Sequence, residues 1–225
     1  MNTLLFQRFQ FKKPIEIIDL PEGSSDETIV MKDKIIIKGS STSLEKDLAE
    51  MLSRAKLGED DPLLVTFVFQ QDITPQEEKY ASMFFRLCQP LQDAWTYRTM
   101  RKYMPDAYEK EMSELFDMWQ KLSNLTLKNT NAEMRRQILG MWAVLFENPT
   151  NDINLIMQSD EENKASWDAY IGALEEYIRQ EPNVNSFPLL PRVVNAPYTV
   201  SIENDNGYQY YYITGGEKYD YMPDM

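Results

Sequence analysis

Histidine is absent from this chain of 225 residues, and cysteine occurs once, at Cys88. Without histidine there is no Ser-His-Asp or Cys-His nucleophile, no histidine metal site, and no Glu-x-x-His pair of the kind that builds a di-iron bundle. A single cysteine rules out multi-cysteine zinc and iron–sulfur sites. It also rules out an intramolecular disulfide, so nothing points to an oxidising compartment. The phosphate-cradling and hydrolase-elbow patterns G-x-x-x-x-G-K-[ST], G-x-G-x-x-G and G-x-S-x-G are missing as well. No apolar run approaches the roughly 18 residues that span a bilayer; the best, residues 63–69, is strand-sized. The N-terminus has no charged segment followed by a long apolar run, so no signal peptide is expected. A soluble, intracellular (cytoplasmic) protein with no membrane partner is the expectation. The triplet Asn124-Leu125-Thr126 therefore carries no glycosylation argument.

Basic residues are also scarce. Lysine and arginine total 23 against 36 aspartates and glutamates, a net charge of −13. That balance argues against nucleic acid, whose phosphates need lysine and arginine. A basic protein partner, a metal ion or simple solubility suits it better.

What is present is enough apolar residue, 43% of the chain, to build a core. Residues 3–11 alternate apolar and polar, and 15–20 do the same, which predicts two strands or a strand and an extended arm, broken at Pro14 and Pro21. Residues 22–27 read as a polar loop. Two β-branched runs, 28–31 and 34–38, flank Lys32-Asp33 as a tight hairpin without the usual glycine, and Gly39-Ser40-Ser41 closes the region. Thr42 with Glu45 has the capping-box spacing, and Leu44, Leu48, Met51, Leu52 and Ala55 recur at helical intervals up to Gly58. Residues 63–69, apolar on both faces, predict a central strand that joins the N-terminal ones.

Residues 74–180 are the most regular stretch and contain only two glycines, Gly140 and Gly172. Thr74-Pro75-Gln76-Glu77 is a strong helix start. Tyr80, Met83, Phe84, Leu87 and Cys88 form one stripe, which makes Cys88 a small core residue rather than a nucleophile. Pro90 either kinks this helix or divides it in two. Asp106 with Glu109, Thr130 with Glu133, and Ser159 with Glu162 open further helices, and residues 153–157 suggest one extra turn. The helix carrying Ile138, Leu139, Met141, Trp142 and Leu145 is apolar nearly all round and should be buried.

After residue 180 four prolines (Pro182, Pro188, Pro191 and Pro197) predict an extended arm that cannot be helical. Residues 198–203 and 208–214, joined through Asn204-Asp205-Asn206-Gly207, predict a β-hairpin. Seven of the thirteen tyrosines lie here: Tyr198, Tyr208, Tyr210, Tyr211, Tyr212, Tyr219 and Tyr221. The link is a turn and not a calcium loop, because the first and twelfth ligand positions would be Ile202 and Ile213. Gly215-Gly216 frees a short acidic tail.

The expected class is α+β: a small N-terminal β-sheet (1–73), a central helical bundle of four to six helices (74–180), and a C-terminal extended arm, hairpin and acidic tail (181–225), as one compact domain plus arm. The acid groups Glu59-Asp60-Asp61, Glu161-Glu162 and Glu175-Glu176 leave room only for an all-oxygen metal site, and no residue set stands out for one. The run 97–103 reverses the local charge, but it reads as the solvated face of a helix. No catalytic residue, cofactor or metal ligand is expected. The expected function is a non-enzymatic interaction or assembly protein, in its specific form a phage or viral structural or assembly component, with the virion as its destination. A protein partner or a second copy would be met through Phe187, Leu189, Leu190, Val193, Val194, Tyr208, Tyr210, Tyr211 and Tyr212. The alternatives are an acidic inhibitor or adaptor of a basic, nucleic-acid-binding partner, and a carboxylate-only divalent-metal enzyme.

Overall fold

The computed structural model describes residues 3–21, 27–39, 45–123, 132–145 and 164–215. The chain is mixed α+β: seven helices among the described residues, a three-stranded sheet near the N-terminus and a C-terminal hairpin. It divides into two compact units, each discontinuous in sequence: 1–66 with 95–114, and 67–94 with 115–225. The loop 22–27 falls almost wholly outside the described residues. So do Ser40-Ser41, the starts at Thr42, Thr130 and Ser159, the turn at 153–157 and the acidic tail.

In the first unit, β1 (Ile15–Asp19), β2 (Glu27–Val30) and β3 (Ile35–Gly39) pair in the order β1-β3-β2, with β1 parallel and β2 antiparallel to β3. The expected hairpin is there, closed by a 2.8 Å bond from the Met31 N–H to the Lys34 carbonyl. Ile35, Ile37 and Val30 face inward beneath α2 (Glu45–Leu57), which buries Leu48, Ala49, Met51, Leu52 and Ala55.

Residues 3–9 are a helix, α1 (Thr3–Phe9), and not the expected strand. Over seven residues an alternating pattern also contains an i, i+4 pair, here Leu5 and Phe9, and tertiary contact decides between them. Phe9 is fully buried and stacks on Phe11 and Tyr103 at 5.6 and 5.1 Å.

The central strand expected at 63–69 does not exist. Pro62–Leu64 is a 3-10 turn, capped by Asp61, whose carboxylate accepts the Leu63 N–H at 3.1 Å. Proline at its start and the acid before it favour this turn over a ladder. Gly58, the residue after α2, has a steric reason to be glycine: a Cβ there would collide with Val65 and stand 3.2 Å from Val30.

Helix α3 (Pro75–Tyr103) supplies residues 75–94 to the second unit and 95–103 to the first. Its start is a reciprocal capping box: the Glu77 N–H donates to Thr74 Oγ1 at 3.2 Å, while the Thr74 N–H and hydroxyl donate to the Glu77 carboxylate at 2.7 and 2.8 Å. Pro90 lies inside this one helix and is buried. One turn before it, the Leu87 carbonyl accepts a 2.7 Å bond from the Tyr170 hydroxyl. The bond that Pro90 removes is the one to the Arg86 carbonyl, so the Tyr170 hydroxyl anchors the helix beside the proline without replacing the lost bond. Helix α4 (Pro105–Ser123) follows directly.

The second unit adds α5 (Ala132–Val144) and α6 (Lys164–Arg179), so residues 74–180 hold four helices among the described residues. Ile138, Leu139, Trp142 and Ala143 of α5 are buried, in line with its nearly all-round apolar pattern. The arm expected to be extended is instead a 3-10 helix, Val184–Leu189, running into α7 (Leu190–Val193). Asn183 caps it by accepting the Asn185 N–H at 3.0 Å. Pro191 costs nothing at the start of α7, because N–H groups there have no helical partner, whereas Pro188 lies inside the 3-10 helix.

Candidate interaction surface

Strands β4 (Tyr198–Asp205) and β5 (Tyr208–Gly215) form an antiparallel pair with Tyr198 opposite Gly215 and Asp205 opposite Tyr208. The turn is two residues, shorter than the four expected. Asn206 and Gly207 both have positive φ, 51° and 80°, which matches the right-handed twist of the strands. The Asn204 side chain accepts the Gly207 N–H at 3.1 Å.

Alternation sorts the hairpin into two faces. Tyr198, Val200, Tyr211 and Ile213 point inward and are buried. The Tyr211 ring packs on Phe67 and Phe84 at 5.4 and 5.0 Å, and Phe187 reaches Phe67 at 5.7 Å. Tyr198 stacks on Tyr80 at 5.0 Å, and Gly215 is needed beside them because a Cβ there would sit 2.8 Å from the Tyr80 ring. Burial pushes the Tyr198 phenol and the Cys88 thiol up, and the nearby thiol raises Tyr198 further. Cys88 is therefore held as a neutral thiol in the core.

Residues 67–70 run along the free edge of β5. The Tyr211 N–H donates to the Val68 carbonyl at 2.8 Å and the Gln70 N–H to the Tyr211 carbonyl at 3.2 Å, which aligns Phe69 in parallel with Tyr211. The Gln70 side chain continues the ladder: its amide accepts the Ile213 N–H at 3.0 Å and donates to the Ile213 carbonyl at 2.8 Å. An apolar segment read from sequence as joining the N-terminal strands thus belongs to the C-terminal hairpin. Its periodicity showed extended backbone but could not say which edge it meets.

The outer face consists of cross-strand rows: Tyr208 with Asp205, Tyr210 with Glu203, Tyr212 with Ser201, and Thr214 with Thr199. Val68 lies beside Tyr210 on the same side, by the alignment of Phe69 with Tyr211. Tyr208 is 70% exposed, Val68 47% and Tyr212 41%, while Tyr210 is half-buried. Thr199 and Thr214 share a 2.8 Å hydroxyl bond, and the Ser201 hydroxyl donates to Glu203 at 2.8 Å. No lysine or arginine occurs between residues 193 and 217, so this face carries two carboxylates and no intrinsic cation of its own.

Of the nine partner-facing residues expected from sequence, Phe187, Leu190, Val194 and Tyr211 are buried in the chain's own core. Val193 and Tyr210 are half-buried, and Leu189, Tyr208 and Tyr212 are exposed. The structure brings the three tyrosines of alternate positions together and adds Val68, which no sequence signal had linked to them.

The first unit's acids have other occupations. Glu59 is buried and accepts from the backbone N–H groups of Lys12 and Lys13 and, at 2.6 Å, from the Lys56 ammonium. Burial opposes its charge, but these donors together hold its carboxyl below the usual range. Asp60 forms a 2.7 Å surface pair with Lys12, and Asp61 is the cap already described, its carboxyl pushed up by burial. Lys56 also reaches the Gln10 carbonyl at 3.2 Å and lies 5.5 Å from the Phe11 ring. Adjacent in sequence, the three acids do three separate jobs.

In the basic run, Tyr97 is buried and Arg101 and Lys102 lie over Tyr108 and Tyr103 at 5.8 and 5.3 Å. Among the described residues no group of three Cys, Asp or Glu is placed to hold a metal ion, and no helix is long and apolar enough to cross a membrane. Comparison with protein-family models, curated proteins and solved structures returns no match.

Proposed function

We propose that the chain is a non-enzymatic protein–protein interaction or assembly component that meets its partner through the outer face of the β4–β5 hairpin. One observation carries this reading: three tyrosines at alternate positions of one strand, with Val68 beside them, present a continuous aromatic and apolar surface on a rigid sheet. Scattered exposed apolar residues are ordinary, but a contiguous patch of this kind marks contact surfaces. Tyrosine suits such a surface because it offers a large ring and a polar tip at little conformational cost. The narrower form, a phage or viral assembly component, rests on the missing catalytic motifs and on no particular residue.

The test is the double substitution Tyr208→Ser/Tyr212→Ser in the full chain, which leaves the buried face of the hairpin intact. Mass in solution by sedimentation, and partners recovered from the source cells, are compared with the wild type. Loss of the assembly or of a stoichiometric partner is expected; an unchanged mass together with unchanged partners overturns the reading.

A further inference from the structure

The contact face carries its own indication of what it would accept. Each of the two rows nearest the turn pairs a tyrosine with a carboxylate: Tyr208 with Asp205 and Tyr210 with Glu203. Both acids are exposed, at the distal half of β4. Elsewhere in the chain strand acids are answered by lysines of the same sheet, Glu16 by Lys34 and Glu27 by Lys38, each at 2.7 Å. On the hairpin no ion pair to Glu203 or Asp205 is formed among the described residues, and 25 consecutive residues, 193–217, contain no lysine or arginine.

We infer that the outer face of the hairpin binds an arginine-bearing segment of a partner chain. This deepens the interaction reading and rests on it. The chemistry is specific to a guanidinium. Its plane stacks on a tyrosine ring, and its forked N–H groups meet a carboxylate in two parallel bonds. A ring and a carboxylate side by side across a strand pair offer both contacts to one arginine. Two such rows are two rungs of the ladder apart, opposite Asp205 and Glu203, so they match arginines at alternate positions of an extended peptide. Val68 and Tyr212 border the rows with apolar surface for the segment's intervening side chains. The net charge of −13 adds a long-range attraction that speeds encounter without specifying it.

The experiment measures binding to the full chain of a fluorescein-labelled peptide of alternating arginine and serine. Its counterpart carries citrulline, which keeps the shape and loses the charge. The peptide is expected to bind the wild type, with the citrulline peptide at least tenfold weaker. Glu203→Gln/Asp205→Asn and Tyr208→Ser/Tyr212→Ser are each expected to weaken arginine-peptide binding at least tenfold. The charge-matched control Glu78→Gln/Glu181→Gln, which neutralises two exposed acids elsewhere in the same unit, should change it less than twofold. Unchanged near-ultraviolet circular dichroism shows that each variant is folded.

No binding, equal binding of the citrulline peptide, an equal loss in the control, or no loss in the tyrosine variant overturns the inference. If the tyrosine variant loses its assembly or cellular partner while the arginine peptide fails to bind, the contact surface stands and only its arginine chemistry falls. If it changes neither, both fall.

Discussion

The two sheets of this protein treat their outer faces differently. On the N-terminal sheet, Lys38 sits opposite Glu27 and Lys34 reaches Glu16, so the charges on its exposed side are answered within the sheet. On the hairpin, Glu203 and Asp205 stand opposite tyrosines, with no basic residue in the surrounding sequence. Each sheet buries apolar residues on its other side, Ile35 and Ile37 in one and Tyr211 and Ile213 in the other. Interior packing therefore does not distinguish them. What differs is whether the acids of the outer surface meet lysines of the same sheet, and that difference is the basis of the proposed contact face.

The sharpest way to break the comparison is to truncate adjacent residues of β5. Tyr211→Ala removes a fully buried ring and is expected to cost about 3–5 kcal/mol, whereas Tyr212→Ala should stay within about 0.5 kcal/mol in denaturant unfolding. Similar losses at both positions would mean that Tyr212 belongs to the core and not to a contact surface.

Glycine substitutions come next. Gly58→Ala drives a methyl into Val65 and is expected to cost about 1–3 kcal/mol. Gly215→Ala meets the Tyr80 ring and should fall in the same range, again about 1–3 kcal/mol. Gly172→Ala, on α6 with open space around it, is expected to stabilise by about 0.4–1 kcal/mol. The three together ask whether close approach or backbone freedom explains each glycine.

The first unit should also be the more acid-sensitive. The folded carboxyl of Glu59 lies below its unfolded value, so its contribution is fully present above the usual glutamate range near pH 4.5 and is lost as pH falls through the folded value. The thermal stability of the wild type is expected to fall at pH values below that range. Glu59→Gln should be less stable at neutral pH, and its acid-induced loss should be smaller. An acid response identical in the two proteins would remove Glu59 from the account.

The smallest effect is expected at the surface pairs. Lys38→Met breaks the bond to Glu27 but should cost no more than about 1 kcal/mol, falling further in salt. A larger loss would mean that the N-terminal sheet depends on its outer charges and is not simply neutralised by them.

Local chemistry explains why some of this was legible in advance. The Thr74–Glu77 capping box, the C-terminal hairpin (though its turn is two residues and not four) and the hairpin at residues 31–34 are each fixed by residues a few positions apart, and the structure contains all three. The misread segments are short and have two solutions. Residues 3–9 fit a strand or a helix until Phe9 finds Tyr103. Residues 184–193 carry prolines that suit either an extended arm or short helical turns, until Phe187 and Leu190 enter the core. The apolar run at 63–69 splits between a capped turn and an edge segment because Asp61 and Pro62 act on one end and β5 on the other.

By itself the sequence determined the α+β class, the hairpin, the helical middle and the inner stripe holding Cys88, because periodicity and capping act over one or two turns of chain. Only the tertiary structure decided that the apolar residues of the C-terminal segment turn inward, that Val68 and Gln70 complete the edge of β5, and that Pro90 stays within one helix. Those outcomes depend on partners far away in the chain, such as the 143-residue separation between Gln70 and Ile213. No local pattern encodes which distant edge or ring a segment will meet. Packing makes that choice, burying the rings of one face of β5 and leaving the tyrosines of the other toward solvent.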